Sequence, residues 1–144
     1  TSHGTEDGLL LRQDYDNRKM LSPGRLDRML DKHCGERPTV VVVSACHSGV
    51  FIGRASKGDN RIWLTAARDD KVSFGCGAEF EYTYFDECLL KSWTKGGTWK
   101  QLFGRVQNAL PGGIRSAGLG GPAAPVSTAH LRPHFHPTLI ATLS

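Results

Sequence analysis

Thr39-Val40-Val41-Val42-Val43-Ser44-Ala45-Cys46-His47-Ser48-Gly49 is the stretch on which the reading of this chain turns. Its five β-branched residues run without polar alternation, the pattern of a strand covered on both faces in a parallel sheet. Small residues follow, and Gly49 permits dihedral angles that larger residues resist. In open parallel sheets, ligands and reactive groups gather beyond the carboxyl ends of the strands. Cys46 has that address.

Upstream, Ser22 as cap, Pro23 at the first helical position, and Leu26, Met29, Leu30 and His33 on one face predict a helix. Gly35 closes it and Pro38 prevents its return. Before it, Gly4 to Gly8 reads as a loop and Leu9-Leu10-Leu11 as a brief strand ending at Asp14 to Asn17. Downstream, Ile62 to Ala66 reads as a second strand after a Gly58-Asp59-Asn60 turn. A helix is expected from about Tyr82 to Trp93, with Phe85, Cys88, Leu89 and Trp93 inward. Another begins at the Thr98 cap, carries Trp99, Leu102, Phe103, Val106 and Leu110 on one stripe, and stops at Pro111-Gly112-Gly113. Strand, helix, strand, strand, helix, helix is the order of an α/β fold with a mostly parallel sheet.

The length of 144 residues fits one domain with a real core, and 39% apolar with 22% charged residues is ordinary soluble usage. Collagen, coiled-coil and disulfide-scaffold classes are disfavoured. No apolar run is long enough to span a bilayer. The chain starts at Thr1 rather than Met, so it reads as a fragment or processed product. Its net charge of +4 comes from the C-terminal part: residues 88–144 hold six Lys or Arg and no acid. Those cations are scattered singly, which argues against nucleic-acid binding. Cys34, Cys46, Cys76 and Cys88 form no CxxC pair, so a zinc ribbon or thioredoxin-type motif is excluded, while two disulfides or four thiols both remain open. Residues 111–144, with 10 Gly or Pro and only Arg115 and Arg132 charged, read as a disordered or loosely docked tail. His130, His134 and His136 lie in that tail between Pro133 and Pro137 with no acid or cysteine beside them, and no metal site is expected there.

A cysteine after a valine-rich strand is often only a buried apolar filler. A second small-residue loop, Ser2-His3-Gly4, changes the reading. A thiol attacks as thiolate, and a neighbouring imidazole raises that population or serves as general base. His3 supplies one. The oxyanion of a tetrahedral intermediate needs two backbone donors, which the amides of Gly4 and Cys46 provide without steric hindrance.

Ser2-His3-Gly4, the Gly8-Leu9-Leu10-Leu11 strand with Gln13-Asp14, and the valine strand ending in Ala45-Cys46-His47-Ser48-Gly49 together resemble the legumain-like cysteine peptidases. That family includes asparaginyl endopeptidases and the catalytic subunit of the GPI transamidase, within the wider caspase-like group. The resemblance continues through Leu64-Thr65-Ala66-Ala67-Arg68, Ser73-Phe74-Gly75-Cys76 and Thr83-Tyr84-Phe85, covering roughly residues 1–110. It implies a caspase-like three-layer α/β sandwich with a mostly parallel sheet, of which residues 1–110 are the C-terminal part, and a Gly/Pro-rich tail over 111–144.

The resemblance also implies roles. Cys46 is the nucleophile, His3 the catalytic histidine, and the Gly4 and Cys46 amides the oxyanion hole. Ser73 lies on the wall of the specificity pocket and Glu87 near the pocket carboxylate. Asparaginyl endopeptidases carry a glutamate straight after the nucleophile, where this chain has His47, so a preference for Asn does not carry over, and His47 reads as a surface or pocket-lining histidine or as a second base. With Glu87 and Asp86 leaving negative charge there, a basic P1 residue is expected. The substrate is a peptide or protein, and the acyl-transfer chemistry needs no cofactor. The strands that precede the histidine loop in the family are not in this chain, which exposes a sheet edge to self-association. The rival reading is a catalytically inactive caspase-like binding or scaffold domain.

Overall fold

The computed structural model describes residues 2–14, 17–55, 60–73, 81–93, 97–110 and 118–120. The elements run β1 (Gly4–Thr5), β2 (Gly8–Asp14), β3 (Asn17–Leu21), α1 (Pro23–Cys34), β4 (Thr39–Val43), α2 (Val50–Ala55), β5 (Arg61–Thr65), α3 (Tyr84–Trp93), α4 (Trp99–Ala109) and β6 (Gly118–Gly120). They make a mixed α/β fold with two three-stranded sheets. One is the antiparallel meander β1-β2-β3, and the other has the order β4-β5-β6, with β4 and β5 parallel and β6 antiparallel to β5.

Parallel neighbours cannot be joined by a tight turn and need a crossover. Helix α2 lies in that connection between β4 and β5, a helix that the sequence analysis does not predict. The register sets Thr39 opposite Arg61 and Val43 opposite Thr65, so both strands end level and their following loops leave the sheet side by side. Every residue of β5 is buried. Alternate residues serve opposite faces, as the two-residue period of a strand requires. Ile62, Leu64 and Ala66 join a core with Phe85, Leu89, Trp99, Leu102, Phe103, Val106 and Leu110, whereas Trp63 packs with Val43, Ala45, Val50 and Phe51, backed by Leu26 and Leu30. Phe51 and Trp63 stack with centroids 6.4 Å apart.

The valine strand is less enclosed than its sequence implies. Among the described residues β4 pairs only with β5, and Val42 is 41% exposed. Thr39 N–H donates to Asn60 and Val43 C=O accepts from Ala66, so residues 39, 41 and 43 address β5. The backbone groups of Val40 and Val42 therefore address the other edge. At the end of that edge Ser44 C=O accepts from Ser2 N–H at 3.3 Å.

Helix α4 matches its signals. Thr98 and Gln101 form a reciprocal capping box, and Trp99, Leu102, Phe103 and Val106 are buried. Helix α1 runs from Pro23 and ends before Gly35, which adopts φ 55°, but its buried stripe differs from expectation. Met29 and His33 are exposed and Asp27 is buried. The cause is Arg61, whose guanidinium is 2% exposed and meets Asp27 at 2.9 Å and Asp31 at 2.5 Å. A buried cation needs paired anions, so α1 turns Asp27 inward and sets Asp31, one turn on and largely exposed, at the rim of the same pair. Residues 118–120, inside the segment read as a tail, add the strand that covers the far edge of β5. Cys76, the Gly58-Asp59 turn and the three tail histidines lie outside the described residues. No described helix is long and apolar enough to cross a membrane.

Removing one partner of a buried ion pair leaves an uncompensated charge. Asp27→Ala is expected to lower stability by about 3 kcal/mol, whereas Asp31→Ala, whose side chain is 63% exposed, costs about 1 kcal/mol or less. Urea denaturation of both variants checks the order, and equal losses would contradict it.

Candidate active site

The loop Ser44 to Gly49 leaves the carboxyl end of β4 and is gripped from both sides. On one side is the Ser2-His3-Gly4 segment. Ser2 N–H reaches Ser44 C=O, Ser2 Oγ donates to Leu10 C=O at 2.5 Å, and Leu10 N–H donates to His3 C=O at 2.8 Å. Gly4 then passes so close to the Cys46 loop that a Cβ there would overlap the Cys46 carbonyl oxygen and lie 3.1 Å from Ala45 Cβ. Glycine is required by contact, not by a turn.

On the other side is the segment after β5. A Cβ at Gly49 would lie 2.9 Å from Arg68 Cα and overlap Asp69 N, so backbone meets backbone here as well. The fully buried Ser48 hydroxyl accepts from Ala67 N–H at 3.1 Å and lies 3.4 Å from Ala67 C=O. His47 N–H donates to Lys71 C=O at 2.8 Å, and His47 Nδ1 donates to Asp69 C=O at 2.8 Å. Because a carbonyl can only accept, Nδ1 must carry a proton. Cys46 Sγ accepts from Ser73 N–H at 3.3 Å and lies 3.6 Å from Ser73 C=O. The Arg68 guanidinium grips the Asp70 carboxylate with two bonds, of 2.8 and 2.5 Å, and holds that exposed carboxyl below its usual range.

A third element arrives behind Cys46. Thr83 Oγ1 caps α3 by accepting from Asp86 N–H, and donates its own proton to Asp86 Oδ2 at 2.9 Å. Ser44 Oγ, 3.3 Å from Thr83 Oγ1, is therefore the donor of that pair. The network ties the amino end of α3 to Ser44, two residues before Cys46.

The sequence-derived residues fall as follows. Gly4, Cys46, His47 and Ser73 meet directly. His3 is exposed on the segment pinned to this loop, and no hydrogen bond joins its ring to the thiol. Such bonds are often open without substrate. Glu87 stands in the first turn of α3, its carboxylate paired with Lys91. With Asp86 bonded to Thr83, both acids behind the expected basic P1 preference have partners within or at the start of their own helix. Cys34, Cys46 and Cys88 are free thiols. Burial, then the charge of Glu87, pushes the Cys88 thiol up, with Lys91 a smaller opposing effect, so Cys88 is a poor nucleophile near neutral pH.

Sequence reasoning gave no role to Ser44, Ser48 or Thr83. A hydroxyl inside an otherwise apolar strand end and another two residues after Cys46 were the available signals, since buried hydroxyls need partners.

Among curated proteins none matches the chain. A family model for the peptidase C13 family matches residues 1–107, a span that includes both loops of the site and reaches into α4. The chain therefore belongs to the peptidase C13 family, the legumain-like cysteine peptidases, and carries that family's link to cysteine peptidase activity.

Proposed function

We propose that this chain takes part in a caspase-like three-layer α/β sandwich and acts as a cysteine endopeptidase. The observation that supports this best is the seating of Gly4 against the Cys46 carbonyl, which brings the histidine segment to the nucleophile loop. In this reading the Cys46 thiolate attacks a peptide carbonyl. The amides of Gly4 and Cys46 hold the oxyanion. His3 protonates the leaving amine, and water, deprotonated by His3, hydrolyses the thioester. Ser73, His47 and Glu87 line the substrate pocket in this proposal. Residues 1–110 are the catalytic unit, with 111–144 a tail of which β6 docks on the sheet.

The thiol chemistry is testable on the chain as it stands. Limiting iodoacetamide near pH 7, followed by peptide mapping, is expected to modify Cys46 ahead of Cys34 and Cys88. His3→Ala should reduce the Cys46 rate about tenfold, because the thiolate loses its imidazole partner. Equal labelling of the three thiols, or an unchanged rate in His3→Ala, would leave only the inactive scaffold reading.

Gly4→Ala separates position from chemistry. The methyl group has to displace the Cys46 carbonyl, and overpacking of this kind costs about 1–3 kcal/mol. The expected result is a lowered melting temperature together with slower Cys46 labelling, while His3→Ala leaves the melting temperature nearly unchanged. A Gly4→Ala variant that melts and labels like the parent would remove the support for this site.

We also propose self-association through β4, with the edge of one copy pairing with that of another. Val40 and Val42 present their backbone groups there, and Val42 adds exposed apolar surface. Sedimentation should show a concentration-dependent dimer that Val42→Lys weakens. A monomer at all concentrations would contradict it.

A further inference from the structure

His47 is the one non-glycine residue with positive φ among the described residues, at 54°. An L-residue in that region is strained, and such strain persists only where surrounding contacts over-determine it. Three hydrogen bonds surround this turn. The His47 amide holds Lys71 C=O, its ring holds Asp69 C=O, and the adjacent Cys46 sulfur takes the Ser73 amide. Asp69 lies in a turn that Lys71 N–H closes on Arg68 C=O at 3.3 Å, so this turn and the residues after it, through Ser73, are fastened to two successive residues of the nucleophile turn.

We infer that His47 is a positioning residue: its ring, clamped to the Asp69 carbonyl, holds the 69–73 segment so that the Ser73 amide donates to the Cys46 sulfur. This rests on the proposed role of Cys46 as nucleophile. A hydrogen bond to the charged form of a group favours that form. When the thiol ionises, its long contact with Ser73 C=O is given up and the bond from Ser73 N–H becomes charge-assisted and stronger. The ring therefore acts on the sulfur through backbone, two carbonyls and one amide away, without touching it. The same bond leaves Nε2 as the edge of His47 that can meet substrate, which is compatible with a pocket-lining place.

Two substitutions isolate the ring. Asn tolerates the left-handed region and its side-chain amide can replace Nδ1–H, whereas Gly keeps the backbone angle and removes the donor. The other titratable or charged groups on the segments packed around the sulfur are His3, Arg68, Asp69, Asp70, Lys71, Asp86 and Glu87, and none of them changes between these variants. The parent chain, His47→Asn and His47→Gly are compared by the rate of Cys46 alkylation from pH 6 to pH 9, and by amide hydrogen exchange in a peptide covering 69–73. In His47→Gly the alkylation curve should move to higher pH, with a rate at pH 7 about 3–10-fold lower, and exchange in 69–73 should quicken. His47→Asn should restore both. An unmoved curve and unchanged exchange in His47→Gly, or an Asn variant as impaired as Gly, overturns the clamp. Should Cys46 in the parent react no faster than Cys34, the nucleophile reading fails on its own, and exchange in 69–73 still decides the clamp for or against.

Discussion

The site depends on one steric constraint: the backbone of the Cys46 loop is sandwiched between two other backbones with no room for a side chain on either contact. Gly4 meets the carbonyl of Cys46 on one side, and Gly49 meets Arg68 and Asp69 on the other. Close packing of this kind removes slack more effectively than single hydrogen bonds, each of which contributes only about 1 kcal/mol net. The bonds then choose among the few arrangements the contact allows. Ser48 with Ala67, His47 with Asp69 and Lys71, and Ser2 with Ser44 fix the three segments in register.

Such a junction needs a rigid reference, and β5 supplies it. Its residues are buried throughout, one face in the core of α3 and α4 and the other in that of α1 and α2. Arg61 at its start is anchored by Asp27 and Asp31 from α1. A buried ion pair is weak evidence for net stability, since desolvation offsets much of the attraction. Its use here is directional: it sets where α1 crosses the amino end of β5. The parallel register then carries that alignment to the carboxyl ends of both strands, where the loops of Cys46 and Ser73 emerge together.

Much of this was legible from residue order. Helix α4 showed its cap, stripe and stop at once, because its propensity, capping and burial agree. The valine strand and its cysteine were equally clear, and the motif around Cys46 with His3-Gly4 pointed to the family that the chain proves to belong to. Other parts were hidden for physical reasons. Strand β3, Asn17–Leu21, has little apolar alternation and exists because β2 pairs with it. The short α2 holds only six residues, too few for a helical period to show. Asp27 could not be read as buried without Arg61, 34 positions away. The left-handed angle at His47 had no local signal either, since histidine is an ordinary choice only where outside contacts hold it.

The edge of β4 that no described strand pairs joins these themes. Hydrogen bonding along that edge alternates, so Val40, Val42 and Ser44 share it, and the last of the three is already taken by Ser2 N–H. That bond is a rung of the same ladder that a neighbouring strand would extend along Val42 and Val40. The histidine segment is thus held to the sheet by the rung nearest the site, helped by Ser2 Oγ on Leu10 and by the hairpin behind it. A ladder is cooperative in the sense that each rung orders the backbone for the next, so a strand seated on β4 would lower the entropic cost of keeping Ser2 in place. Order at the sheet edge and order at His3 are therefore coupled through a single carbonyl, that of Ser44, whose hydroxyl is at the same time bonded to Thr83 at the start of α3.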